Sequence, residues 1–345
     1  MKLSKNKSLR VGIVGAGLMG RWHADAARRS GGSVTAVVDP DLDRAAGLAA
    51  RYHNAKRFSD VEKMLEQVDL DVLHICSPGS THNAVAGIAI DAGLNLLIEK
   101  PITPTARDAE RLFDRAAGRG VLVCPVHQFS FQNGVLKAKE LLPKIGRLIH
   151  IDTTICTAGG ADLPAAQLDS IVADVLPHPL SLLQVFLSRD LSPERWLTVR
   201  PSEGELRVFG EVANTTFAFL VSVNGRPTIN SFRIVGAEGT IHLNLFHGYG
   251  FMEPGKVSRN RKIIHPFALS LRSLSAATLN LGQRALRREP AYPGLRRLID
   301  SFYKALQTGS HSPISPEDTI LIARVRDHII QSAGLVVARQ EYVGA

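Results

Sequence analysis

At 345 residues the chain is long enough for two domains, each with its own core. Its 45% hydrophobic and 21% charged content is that of a globular protein and argues against a disordered or fibrous chain. The net charge is +9, but residues 251–297 hold ten Lys/Arg against two acids, so basicity belongs to one segment and does not indicate nucleic-acid binding.

Residues 1–8 read as a loose tail. The lysines ahead of an apolar stretch resemble a signal peptide only superficially, because that stretch carries a glycine fingerprint. Strands are predicted at 10–15, 34–38, 71–76, 94–98 and 121–126, alternating with helices at 18–29, 41–52, 59–67, 81–92 and 105–118. Such alternation implies a parallel sheet covered on both faces, with its ligand at the carboxyl ends of the strands. After Pro125 the pattern changes. A helix at 134–142 leads to strands at 147–156, 195–200, 205–210, 214–223, 228–235 and 239–245, with turn signals at Asn224-Gly225 and Glu238-Gly239. Helices return at about 292–308 and 316–337. No apolar run reaches the roughly 18–20 residues of a membrane helix. Cys76, Cys124 and Cys156 lack metal-ligand spacing and read as reduced thiols of a cytoplasmic protein; no metal is expected.

The segment Val11–Gly20 runs from a strand into Gly15-x-Gly17-x-x-Gly20 and then a helix. Here Gly15 permits a tight turn, Gly17 lets the backbone approach a pyrophosphate, and Gly20 lets helix and strand pack closely. Leu18 and Met19 complete the cradle, whose N–H groups receive the anion at the helix N-terminus. Asp39 ends the second strand, 19 residues past Gly20. Its carboxylate can accept both ribose hydroxyls of an adenosine and would repel a 2′-phosphate, which favours NAD over NADP despite Arg44 nearby.

Three further segments complete a pattern. They are Asp71-Val-Leu-His-Ile-Cys-Ser-Pro-Gly-Ser-Thr-His82, Ile98-Glu-Lys-Pro101 and Asp174-Val-Leu-Pro-His178. With the fingerprint, His23 and Val235-Gly-Ala-Glu-Gly-Thr240, the sequence resembles the Gfo/Idh/MocA family of nicotinamide-dependent oxidoreductases over most of its length, fading at about 250–290. The resemblance implies a doubly wound Rossmann domain at 1–126 and an α+β domain at 127–345 with a large, mostly antiparallel open sheet for substrate binding and oligomerisation. It further implies a sugar-like small-molecule substrate and a homodimer or homotetramer, the open sheet face being a plausible dimer surface.

Lys100 ends a buried strand, where an ammonium can hydrogen-bond a substrate oxygen and stabilise alkoxide character as hydride leaves. His178 lies between Pro177 and Pro179, which places it at the N-cap of a helix from about Pro179 to Leu187. The positive end of that helix disfavours an imidazolium, leaving a neutral base. The resemblance implies the same role for His178, with Asp174 orienting it or binding substrate. It also implies that Ser77, Pro78, His82 and Glu99 line the cofactor and that His127 and Gln128 touch substrate; His23 reads as structural. Relatives often carry glycine two residues before the histidine; here Leu176 stands there, followed by Pro177, so the turn and pocket volume differ. Two other outcomes fit the same family. One is an NAD-dependent glycosidase that oxidises a sugar transiently; the other is a non-catalytic NAD-binding protein.

Within the basic segment, Phe267, Leu271, Leu274, Leu281 and Ala285 recur at helical spacing with arginines alongside. This stretch could pack on its own domain, cap the sheet, bind substrate phosphates, or touch an anionic membrane weakly through 256–288.

Overall fold

The computed structural model describes residues 8–157, 160, 163–187, 191, 196–255 and 262–336. The tail expected at 1–8 therefore lies, apart from Ser8, outside the described residues, as do Lys256, Arg259 and Arg261. The chain forms two compact units that are not consecutive in sequence. Among the described residues, one comprises Ser8–His127 together with Leu295–Ala323; the other lies within Gln128–Gly294 and Arg324–Val336.

The first unit is a six-stranded parallel sheet in the order β3-β2-β1-β4-β5-β6. Its strands are β1 (Arg10–Val14), β2 (Ser33–Val38), β3 (Lys56–Phe58), β4 (Val72–Ile75), β5 (Asn95–Ile98) and β6 (Val123–Pro125). Helices α1 (Leu18–Arg29), α2 (Leu42–Ala49), α3 (Val61–Gln67), α4 (Gly79–Asp91) and α5 (Ala106–Arg119) connect them. Central strands read as continuous apolar runs because both faces are buried. The four residues of β4 and the last four of β1 are all buried. Side chains close the helix ends: Asp41, Asp60 and Thr105 accept backbone N–H groups at the starts of α2, α3 and α5, and Gly120, at φ 65°, stops α5. The periodicity missed β3, whose three residues are too few to show alternation. Helix α10 (Leu295–Thr308) is part of this unit and packs on α1.

The second unit is built on a seven-stranded sheet in the order β13-β12-β11-β7-β10-β9-β8. The strands are β7 (Leu148–Cys156), β8 (Trp196–Val199), β9 (Glu205–Val212), β10 (Thr215–Ser222), β11 (Ile229–Gly236), β12 (Gly239–Asn244) and β13 (Tyr249–Pro254). Among its described residues only the β7–β10 pairing is parallel. One sheet face holds Ile151, Phe217, Phe219, Phe232 and Ile234 in its core; the alternate positions leave Leu197 and Phe209 exposed. Helices α6 (Asn133–Leu141), α7 (Ala165–Val175), α8 (Pro177–Leu187) and α9 (His265–Arg287) complete the unit, and α11 (Pro316–Ala333) passes from the first unit to the second at Ala323/Arg324. Phe186 of α8 packs on Phe232 of β11, ring centroids 5.7 Å apart.

Sequence patterning did not anticipate α7. Together α7 and α8 give, over Gln167–Leu187, a stretch long and apolar enough by composition to cross a membrane, yet 56% of the apolar window is buried in the protein. It is a core element, and it contains the buried carboxylate Asp169, which pairs with Arg200 at 2.8 Å and accepts the Val336 amide at 3.1 Å. Removing one partner of such a pair strands the other. Asp169→Ala is therefore expected to cost about 3–5 kcal/mol, read as a lower urea midpoint; a loss below about 1 kcal/mol, the worth of a surface pair, would refute that account.

Candidate active site

Strand order reverses between β1 and β4, and the crevice at such a switch point is where doubly wound sheets bind ligands. The glycine fingerprint sits at its mouth. Gly15 has φ +92°, and a Cβ there would meet Cys76 and Ser77 backbone atoms at 2.8 Å. Gly20 packs so closely that a Cβ would lie 1.8 Å from the Gly15 carbonyl oxygen. A Cβ on Gly17, by contrast, would meet nothing within 4 Å. Gly17 is also the N-cap of α1 with no side-chain cap, so the N–H groups of the first turn remain available to an anion. These are the three distinct conditions that a pyrophosphate cradle sets. Leu18 is exposed and Met19 half-buried beside it.

Asp39 is half-buried at the end of β2. Its Oδ2 accepts the Ala16 amide at 2.7 Å and its Oδ1 the Asp41 amide at 3.0 Å. Both bonds fix the carboxylate against the glycine turn and leave lone pairs for ribose hydroxyls. Arg44 pairs with Asp41 at 3.1 Å.

Behind β5 lies a buried polar chain that sequence reasoning did not assemble. Glu99 Oε1 meets His23 Nε2 at 3.0 Å, His23 Nδ1 meets His74 Nδ1 at 3.1 Å, and His74 Nε2 meets the Tyr303 hydroxyl at 3.0 Å. All four residues are buried. An ionised carboxylate can only accept, so His23 Nε2 donates to Glu99. Burial holds the His74 imidazole well below its ordinary pKa, with the neighbouring His23 adding to the effect. Burial would raise the Glu99 carboxyl, but the His23 hydrogen bond, His23's charge and Lys100 outweigh it and bring the carboxyl below its usual range. The other Glu99 oxygen accepts the Lys100 amide at 3.1 Å. Lys100 itself is half-buried at the carboxyl end of β5.

His82, expected to line the cofactor, is buried, with its nitrogens 2.8 Å from the carbonyl oxygens of Pro101 and Ser77. It ties the turn after β4 to the turn after β5. Ser77 Oγ lies 2.6 Å from Thr81 Oγ1 in that first turn, next to Pro78 at the start of α4. His127 is buried at the end of the first unit, and burial lowers its pKa to about 4 against the pull of Glu99 and Asp318, so it is a neutral imidazole.

Gln128, Asp174 and His178 belong to the second unit. His178 is not an N-cap: α8 begins at Pro177, and His178 occupies its first turn. The first-turn amides of a helix have no intrahelical partner, so Pro179 costs no hydrogen bond and does not delay the start. Phe129 stacks on the imidazole, centroids 4.2 Å apart and planes 17° apart. Asp174 is half-buried near the end of α7, on a different helix from His178. Close to it lies Arg326 of α11, which sequence reasoning missed. This guanidinium is 5% exposed; burial lowers its pKa, and Asp327 and Asp174 resist that shift. Its signal was a lone arginine among Ile322, Val325 and Ile329 on one helix face. Gln128 is buried at the head of the unit.

A parallel sheet with an anion cradle and a ribose-directed carboxylate defines a dinucleotide-binding protein. Residues 9–127 match the family described as "Oxidoreductase family, NAD-binding Rossmann fold", GFO_IDH_MocA. Inositol 2-dehydrogenase 4 of Saccharopolyspora erythraea is 43% identical over 118 residues, 33% of this chain and 35% of that protein. UDP-N-acetylglucosamine 3-dehydrogenase of Acidithiobacillus ferrooxidans is 33% identical over 157 residues, 42% of this chain and 49% of that protein. These matches span between a third and a half of the relatives' own length. Levoglucosan dehydrogenase, solved with NADH and levoglucosan, shares the fold with a TM-score of 0.77 at 19% identity, covering 95% of this chain and 98% of that one.

Two outcomes follow for the first unit. Asp39→Ala is expected to weaken NAD binding about tenfold, roughly 1.4 kcal/mol, while NADP binding improves or holds; titration of both cofactors checks it, and an equal loss for both would sink the ribose assignment. The Glu99 carboxyl is lower in the folded state than in the unfolded one, so its stabilisation is present above the ordinary carboxylate pKa and is lost as pH falls through the folded value. His23→Ala strands that carboxylate, so it should cost about 3 kcal/mol near neutral pH and less at about pH 4, where protonation is tolerated. Urea midpoints at both values decide; a pH-independent cost would mean that His23 matters only as packing.

Proposed function

We propose that the protein is an NAD-dependent oxidoreductase moving a hydride between nicotinamide and a secondary alcohol or ketone of a sugar, polyol or nucleotide-sugar. The observation that carries this reading is Lys100, at the carboxyl end of β5 in the unit whose fingerprint and Asp39 suit NAD. Gly15, Gly17, Leu18, Met19 and Gly20 would hold the pyrophosphate, Asp39 the adenosine ribose, and Ser77 and Pro78 the flank of the crevice. When bound, NAD supplies the hydride acceptor. In this reading Lys100 binds the substrate oxygen and stabilises negative charge on it. His178 takes or returns the hydroxyl proton, and Asp174, beside the Arg326 cation, orients it or binds substrate. Glu99 and His82 act from beneath, one bonding the Lys100 amide and the other bracing both turns. His127 and Gln128 are proposed to contact substrate. The exposed sheet face with Leu197 and Phe209 is proposed to pair with a second copy.

The test is nicotinamide absorbance with NAD or NADP against polyols, aldoses and nucleotide-sugars. Turnover should appear with NAD and fall about 10²–10⁴-fold in Lys100→Ala and His178→Ala, the usual worth of a positioned acid–base or charge-stabilising group, with cofactor binding unchanged. Leaving-group release without net cofactor turnover would indicate a glycosidase, and variants that leave turnover intact would overturn these roles.

A further inference from the structure

Helix α9 is amphipathic in the wrong sense for a helix that caps its own unit. At about 3.6 residues per turn, Phe267, Leu271, Leu274, Leu281 and Ala285 share one stripe, and His265, Leu269, Ala276, Asn280 and Arg284 share the opposite one. The second stripe, the more polar of the two, is the one that packs. His265 Nε2 meets Glu253 at 2.9 Å, and Asn280 and Arg284 both donate to the His247 carbonyl oxygen at 3.0 Å. Asn280 is the only buried residue of α9. The apolar stripe points away: Phe267 is 72% exposed, Leu271 and Leu274 62%, and Leu281 67%. Ile263 and Ile264 extend it past the helix start.

An exposed apolar ridge of this length marks an interaction surface. Twenty-three helical residues make it about 35 Å long, and as a convex ridge it suits a flat surface rather than a cleft. Charge selects the occupant. From residue 254 to residue 288 the chain has eight Lys/Arg and no Asp or Glu. In a two-fold contact each copy would face its own like charges, which disfavours a second α9. Lys262, Arg272, Arg287 and Arg288 are exposed alongside the helix, and long basic side chains can lay their stems along apolar surface while their heads reach phosphates.

We propose that α9 docks the protein on the surface of an anionic phospholipid bilayer, its apolar stripe entering the headgroup boundary and the flanking cations meeting lipid phosphates. The docking is independent of the oxidoreductase reading. It is tested by sedimenting the full chain with vesicles of equal parts phosphatidylglycerol and phosphatidylcholine, against phosphatidylcholine alone. The chain should pellet with the anionic vesicles at about 0.1 M salt and be released at about 1 M, as the Debye length falls from about 10 Å to about 3 Å. Leu271→Asp/Leu274→Asp should cut partitioning about tenfold or more while NAD binding stays as in the parent chain. Failure of the parent chain to pellet, equal binding to neutral vesicles, or undiminished binding of the double variant would each overturn the proposal. So would a dimer that the double variant dissolves in sedimentation velocity, which would assign the ridge to a second copy.

Discussion

The carboxylate of Glu99 is buried at the end of β5, and an ionised group can stay there only with hydrogen bonds to replace water. His23 supplies one and the Lys100 amide another. Each replacement makes its own demand. His23 is itself buried and needs His74; His74 needs Tyr303. One charge therefore binds α1, β4, β5 and α10 into a fixed arrangement, and Lys100 leaves the sheet from that arrangement. A helix nearly two hundred residues downstream of β5 is needed to close the account, which is why α10 belongs to the first unit and not to the segment that precedes it in sequence.

The cofactor cradle rests on the same economy of space. Gly20 against the Gly15 carbonyl brings α1 onto β1 closely enough for His23, one turn further along, to reach Glu99. A larger residue at position 20 would displace both the anion site and the buried chain. Asp39 is fixed by the Ala16 amide from inside the same turn, so ribose recognition and pyrophosphate recognition share one backbone conformation.

The second unit solves a different problem. Its sheet buries one face under α7 and α8, where Asp169 and Arg326 are charged groups held by specific partners. Its other surfaces keep apolar side chains in the open, on the outer sheet face and along α9. In α9 the polar stripe is consumed by backbone carbonyls and by Glu253, which holds both His242 and His265 at 2.9 Å. That choice turns the leucines outward.

Local sequence sufficed for the parallel unit apart from the short β3 and the membership of α10. Apolar runs, the glycine spacing and Asp39 are all read within about twenty residues, and the segments around Ser77, Glu99-Lys100 and Asp174–His178 that carry the resemblance are equally local. It sufficed too for the second sheet apart from its edge strand β13, and for the amphipathic spacing of α9. Partnership at a distance was not legible. No local signal joins His74 to Tyr303, sets Arg326 beside Asp174, or turns His82 inward against two carbonyls, because each depends on where folded elements meet. Nor could spacing say which stripe of α9 faces the protein: hydrophobic periodicity assigns a face to the interior, and here hydrogen bonding to carbonyls on the neighbouring strand and loop assigned the other one.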